Sequence, residues 1–241
     1  GWSANLSAAI GAAPTGSCWI DLPQGPGATD VTVARLRALL DQGVRGGRIL
    51  VMLPQRDRRG LYELPPTDTP RAGACPQVHT YYSLTTRLVR LFWPVAAAEA
   101  GFGRPRQAPV QLTYETAQYV MGQVAEPLLR EGYFEGLSMR PQRILSQLLD
   151  NLNKAAVNGY DIAEVGERLR AAWTGDRDRL IYFEQAQTCI ERFRAHCLQH
   201  NLLDVSLALE VFRQHIEPRQ VVADYLDEHF RHLLVEGVAE T

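Results

Sequence analysis

Lysine is almost missing from this chain. Of the 25 basic residues among 241, one is a lysine, Lys154, and the rest are arginine. A nucleotide-binding phosphate loop sets a lysine against the β- and γ-phosphates. Lys154 stands in a helical stretch far from any glycine-rich turn, so no such loop is supplied with one. Cysteine is also scarce: Cys18, Cys75, Cys189 and Cys197, with no C-x-x-C pair. This argues against a disulfide framework and for a reducing, cytoplasmic setting. Cys18, Cys189 and Cys197 lie in apolar patterns and are expected to pack as small hydrophobes. No apolar run approaches about 18 residues, so no membrane span is expected. No basic-then-apolar leader is legible. Net charge is close to nil, −2, which leaves no global basic footprint for nucleic acid. The remaining composition, 46% apolar and 22% charged, is that of a globular protein with one large or two small domains.

What is present is a change of pattern along the chain. Residues 1–16 are small and polar, with a short helix expected around Leu6, Ala9 and Ile10. Ser17–Leu22 reads as a first strand and about Thr29–Gln42 as a helix. Gly43, Gly46 and Gly47 end that helix. Arg48–Leu53 is a continuous apolar run of strand length, which suits a parallel strand covered on both faces. Strand, helix, strand within about 40 residues predicts a right-handed βαβ unit. Residues 54–76 read as a loop with a basic patch at Arg56, Arg58 and Arg59. Gln77–Thr80 is a further short strand, and Tyr81–Ala100 a helix with the stripe Leu84, Leu88, Leu91 and Phe92.

Gly101–Pro109 is a Gly/Pro/Arg linker, and from about 110 to 216 the apolar residues recur at helical spacing. Examples are Ala117, Met121 and Leu128, then Ile144, Leu145, Leu148 and Leu149, then Ile190, Phe193 and Cys197. Val221–Phe230 predicts another helix and His232–Val235 a last buried strand. An α/β start, a helical middle and a return to a strand predict a discontinuous α/β domain.

The stretch Gln24-Gly25-Pro26-Gly27-Ala28-Thr29-Asp30-Val31-Thr32 lies where a phosphate loop would lie, between an expected strand and an expected helix. In register with G-x-x-x-x-G-K-[ST], however, the third glycine falls on Thr29, the lysine on Asp30 and the hydroxyl on Val31. A carboxylate about 4 Å from a phosphate charge costs about 4 kcal/mol at an effective dielectric near 20. Val31 offers no oxygen to magnesium. At the first turn of the helix, Asp30 is expected to cap it and to take the anion's place.

The order of segments resembles the first half of a superfamily 1 DNA helicase of the UvrD/Rep kind. Gly25-Pro26-Gly27 resembles the start of Walker A. Ile49–Pro54 resembles the strand before the first DNA contact, and Thr80-Tyr81-Tyr82-Ser83-Leu84 the T-F-H-S-F signature. Leu202-Leu203-Asp204-Val205-Ser206 is similar to the family's L-x-D-F stretch, and Leu233–Thr241 to the Walker B segment L-L-V-D-E-A-Q-D-T. The resemblance implies an α/β fold, a RecA-like parallel sheet of the P-loop NTPase type with an inserted all-helical subdomain. The RecA-like part would be residues 1–108 and 206–241, and the insertion 109–205. Departures fall on the catalytic positions. Glu236 replaces the magnesium aspartate, Gly237 the catalytic glutamate and Ala239 the following glutamine, and residues 1–23 hold no adenine-reading glutamine. ATP and magnesium would be the family's cofactors; none is expected here, and no catalytic residue is carried over.

The expected function is therefore a catalytically degenerate helicase-like module in DNA repair or recombination, binding DNA or acting as a scaffold. Its expected partners are single-stranded DNA and either a C-terminal helicase half or another repair or recombination subunit, with no membrane. An ATP-dependent helicase fragment and an interaction module without DNA binding are the alternatives. The site residues expected are a vestigial phosphate loop at Gly25, Pro26 and Gly27, and a nucleic-acid surface at Arg56, Thr80, Tyr81, Tyr82 and Ser83. Aromatic residues beside Arg87 and Arg90 suit the stacking of single-stranded bases. His196, Cys197 and His200 share a helix but lack a fourth metal ligand, and read as ordinary residues of an amphipathic helix. Ser83, His79 and Asp68 come with no G-x-S-x-G elbow and do not make a hydrolase.

Overall fold

The computed structural model describes residues 3–21, 26–62, 75–175 and 177–237. Leu22, Gly25, Asp68 and Ala239 lie outside them. The chain forms two compact units, residues 1–84 with 220–241 and residues 85–219.

The first unit opens with helix α1 (Ala4–Gly11), whose N-cap Ser3 accepts the amide of Leu6. Helix α2 (Pro26–Asp41) follows. The two are tied by Arg35 of α2, whose Nη1 donates to the carbonyls of Ile10 at 2.8 Å and Ala12 at 2.5 Å. A cation on these last carbonyls satisfies acceptors that a helix end leaves open. Strand β1 (Ile49–Leu53), a 3₁₀ segment (Arg56–Tyr62) and strand β2 (Gln77–Thr80) come next. Helix α3 (Tyr81–Leu91) begins in this unit and continues into the second.

The second unit then runs through α4 (Trp93–Ala96), β3 (Val110–Gln111), α5 (Tyr114–Arg130), α6 (Pro141–Val157), α7 (Val165–Ala172) and α8 (Leu180–His200). It closes with β4 (Leu202–Leu203), α9 (Val205–Val211) and a π-helical turn (Phe212–Ile216). Helix α10 (Gln220–His229) and strand β5 (His232–Val235) return to the first unit.

The sheet of the first unit is parallel, in the order β2-β1-β5. Leu53 stands level with Thr80, and Met52 with Val235. The chain is thus mixed α/β, with the runs 48–53 and 231–235 side by side as expected. The continuous apolar sequence of β1 has its reason here: Ile49, Leu50, Val51 and Leu53 are all buried in the central strand. Ile49, Val51 and Leu53 pack with Val33, Leu36 and Leu39 of α2, and Val78 and Leu234 flank them.

Several expectations fail locally. Ser17–Asp21 is not a strand, and Trp19 in it is 75% exposed. Its apolar trio finds no strand to pair with, and Cys18 is exposed rather than packed. Strand β5 forms where expected and, among the described residues, lies at the edge of the sheet; Leu233 and Val235, which share one of its faces, are exposed rather than buried. The helix expected over 81–100 breaks at Phe92, because Pro94 has no amide to continue the ladder; a short new helix starts at Trp93.

In the second unit the helical stripes expected from spacing are the core. Met121, Leu128, Leu149, Leu152, Ile190, Phe193 and Cys197 are all buried. Asn201 ends α8 in the left-handed conformation at φ 55°. Its side chain holds the linker that precedes β3: Nδ2 donates to the carbonyls of Arg104 at 2.6 Å and Gln107 at 3.1 Å, and Oδ1 accepts the Arg104 amide at 3.0 Å. Val110 then pairs with Leu202 in a two-stranded parallel ladder. Among the described residues no helix is long and apolar enough to cross a membrane.

Candidate functional site

Parallel strands deliver the residues that follow them to one edge, where α/β proteins bind ligands. Here that edge carries the 3₁₀ segment after β1, Thr80 at the end of β2, and Glu236 directly after β5. The Glu236 amide donates to the Met52 carbonyl at 3.0 Å, which extends the β5 ladder by one bond and fixes where its side chain begins.

Glu236 is the centre of the site. Its side chain is 1% exposed. Oε1 accepts from the Thr29 hydroxyl at 2.5 Å and from Arg58 Nη1 at 2.6 Å. Oε2 accepts from the Tyr62 hydroxyl. Thr29 stands at the start of α2, and Arg58 and Tyr62 one turn apart on the 3₁₀ segment. Thr29 and Tyr62 are themselves buried. A buried charge is tolerated only when paired and hydrogen-bonded, and this one has a cation and two hydroxyls. Burial acts to raise the Glu236 pKa, but hydrogen bonds from Thr29, Tyr62 and Arg58 and the charge of Arg58 outweigh it and hold the carboxyl below its ordinary 4.5. The Tyr62 phenol is pushed well up, by burial first and then by its bond to the carboxylate.

These contacts decide the chemistry. With Arg58 on Oε1, a divalent cation would have to displace an arginine. With its carboxyl held ionised and hydrogen-bonded through both oxygens, Glu236 is not poised as a general acid. The arrangement binds its own carboxylate.

The expected phosphate loop takes a different form. Helix α2 starts at Pro26, earlier than the expected Thr29, so Pro26 and Gly27 lie in its first turn. Pro26 has no amide to offer an anion. A Cβ on Gly27 would meet nothing within 4 Å and its φ is not positive, so nothing at that position demands glycine. Asp30 falls beyond the first turn and is exposed, so it does not cap the helix. The acid held beside the start of α2 is Glu236 instead.

The expected nucleic-acid residues come to the same edge of the sheet. Arg56 and Tyr81 are exposed and Tyr82 is half-buried. Thr80 and Ser83 form a reciprocal capping box for α3: the Thr80 amide donates to Ser83 Oγ at 3.0 Å and the Ser83 amide to Thr80 Oγ1 at 3.2 Å. His79 Nδ1 lies 3.1 Å from Ser83 Oγ, so that hydroxyl is part of a local cap rather than a free nucleophile. Asp204, in the L-x-D-F-like stretch, is likewise an N-cap. Its carboxylate accepts the amides of Ser206 at 3.2 Å and Leu207 at 3.1 Å and the Ser206 hydroxyl at 2.7 Å.

The rings of His196 and His200 lie 4.4 Å apart, and burial followed by the neighbouring His200 lowers the His196 pKa. Among the described residues no group of three or more His, Cys, Asp or Glu side chains could hold a metal. Burial raises both helix thiols, Cys189 to about 11, so neither is a ready thiolate.

Sequence reading pointed to Glu236 as an acid following an apolar strand. It missed Tyr62 entirely and assigned Arg58 to the basic patch. No protein-family model and no curated protein matches the sequence.

Proposed function

We propose that the chain is a catalytically degenerate helicase-like module of the UvrD/Rep kind, which binds single-stranded DNA or a repair or recombination partner without hydrolysing ATP. The reading takes the parallel sheet as the RecA-like part and the helical stretch as its insertion. One observation carries it: the acid that follows the β5 strand, where the resemblance puts the magnesium ligand, is tied up by Arg58, Tyr62 and Thr29. The shared edge of Arg56 and Tyr81 supports a role for that edge in DNA binding, since a cation and an exposed aromatic at one sheet edge suit the phosphates and bases of a single strand.

The test is single-strand binding across a range of salt. Affinity should fall linearly on a log–log plot. Arg56→Ala should weaken binding and reduce the slope by about one phosphate contact. Tyr81→Ala should cost about 1–3 kcal/mol with the slope unchanged, the signature of lost stacking. A wild-type chain that does not bind at low salt would replace this reading with an interaction module free of DNA.

A further inference from the structure

We propose that the turn between α5 and α6 forms a receptor for an arginine side chain presented by a partner protein. This goes beyond the reading above: the site lies wholly within residues 85–219 and uses nothing of the sheet edge.

The turn borders a cavity of about 400 Å³, a size usual for ligand pockets. Leu129, Tyr133, Phe134, Met139 and Ile144 give it an apolar and aromatic lining. That lining is held in place. Phe134 has φ 63°, a conformation that a bulky residue keeps only where its surroundings impose it. Helix α8 imposes it here. The Phe134 amide donates to Gln185 Oε1 at 2.7 Å, and the Tyr182 hydroxyl donates to the Glu135 carbonyl at 2.8 Å. The rings of Phe134 and Tyr182 stack with centroids 6.5 Å apart. Gly132 and Gly136, at φ 93° and 91°, let the chain turn on either side of Phe134.

The charge of the lining is unbalanced. It includes two acids, Glu131 and Glu135, and one base, Arg130, which is already paired with Glu126 at 3.1 Å. Among the described residues the carboxylates of Glu131 and Glu135 have no hydrogen-bond or ion-pair partner, and neither has the Tyr133 hydroxyl. The Glu135 carboxylate lies over the turn itself: a Cβ placed on Gly132 would stand 3.1 Å from its Oε2. A ligand for this cavity needs an apolar body and a positive end. An arginine side chain has both. Its methylenes suit the aliphatic wall, and its planar guanidinium stacks on an aromatic ring and forks onto a carboxylate through two parallel N–H bonds. A lysine ammonium is compact and strongly hydrated, and can do neither.

The experiment uses the full-length chain, labelled with carbon-13 at its methionine methyls. There are three, Met52 in β1, Met121 in the core of α5 and Met139 in the lining. The probe is acetyl-Gly-Arg-Gly-amide, blocked at both ends so that the side chain carries its only charge. The Met139 signal should shift saturably while those of Met52 and Met121 stay in place. The same peptide with citrulline keeps the stem and loses the charge. It and the lysine peptide should each bind at least about tenfold more weakly, as expected for a lost charge-assisted pair. Glu131→Gln with Glu135→Gln changes two exposed side chains. It should weaken the arginine peptide by at least about tenfold, with the Met52 and Met121 signals reporting an intact fold. The citrulline comparison on the unmodified chain decides the matter even if the double variant does not fold. An unmoved Met139 signal, equal binding of the arginine and citrulline peptides, or unchanged affinity in a folded double variant would overturn the proposal. Lysine binding as tightly as arginine would overturn the choice of occupant.

Discussion

Glu236 and Tyr62 tie the stability of the sheet edge to pH in opposite directions. Glu236 has a folded pKa below its ordinary 4.5, so its contribution is present above that value and is lost as pH falls through the lower folded value. Tyr62 has its folded pKa raised above 10.0, so its contribution is full below pH 10 and is lost as pH rises from there. Glu236→Gln keeps the shape and removes the charge. At neutral pH it should be destabilised by about 1.5–3 kcal/mol, the range for hydrogen bonds to a charged group. As the solution is acidified below pH 4.5, wild type and variant should converge, because wild type then loses the same charge. Urea melts at neutral and acid pH measure this. A stability gap that stays constant across the acid range would mean that the carboxylate is not ionised in the folded state.

Asn201 shows how a helix end is built in the second unit. It has two tasks, a left-handed backbone at the end of α8 and three hydrogen bonds to the linker before β3. Asn201→Gly keeps the first and drops the second; Asn201→Ala drops both. The alanine variant should be less stable than the glycine variant by about 1–2 kcal/mol, the cost of a left-handed non-glycine residue. Denaturant melts of the pair decide it, and equal midpoints would remove strain from the account. Most elements of this kind are legible in sequence because one stripe repeats, as Ile144, Leu145, Leu148, Leu149 and Leu152 do in α6. The failures have local causes. Cys18-Trp19-Ile20 has strand composition, but a strand exists only where a neighbour supplies hydrogen bonds. The β5 sequence looks buried, yet its exposure depends on which strand lies beside it, and a run of four apolar residues does not encode that.

For the molecule as a whole, the decisive contacts are non-local. Arg58 and Tyr62 reach Glu236 across 178 and 174 positions. No spacing rule links residues so far apart, which is why the acid was legible and its partners were not. The same contacts bear on nucleotide. A triphosphate entering this edge would meet Glu236 rather than a lysine, and the first helical residue of α2 is a proline without an amide. Calorimetry with magnesium-ATP on the full chain should therefore show no micromolar binding. Asp30→Lys with Val31→Thr should change this little while Glu236 remains in place. A micromolar dissociation constant for the unmodified chain would show that nucleotide has a route into the site that these contacts leave open.

The pairing of β1 with β5 also dictates an order of events on the ribosome. It joins Ile49 to His232, 183 positions later. At synthesis rates of about 5–20 residues per second, β1 is made roughly 10–40 s before its partner. Residues 85–219 are complete before β5 exists and can close around their own core first. Until β5 arrives, the central strand lacks the neighbour that flanks it on that side, and the Glu236 carboxylate held by Arg58, Tyr62 and Thr29 is not yet made. Nascent chains stopped short of residue 232 should thus be the ones that chaperones retain and proteases clear, even though their helical part is already folded.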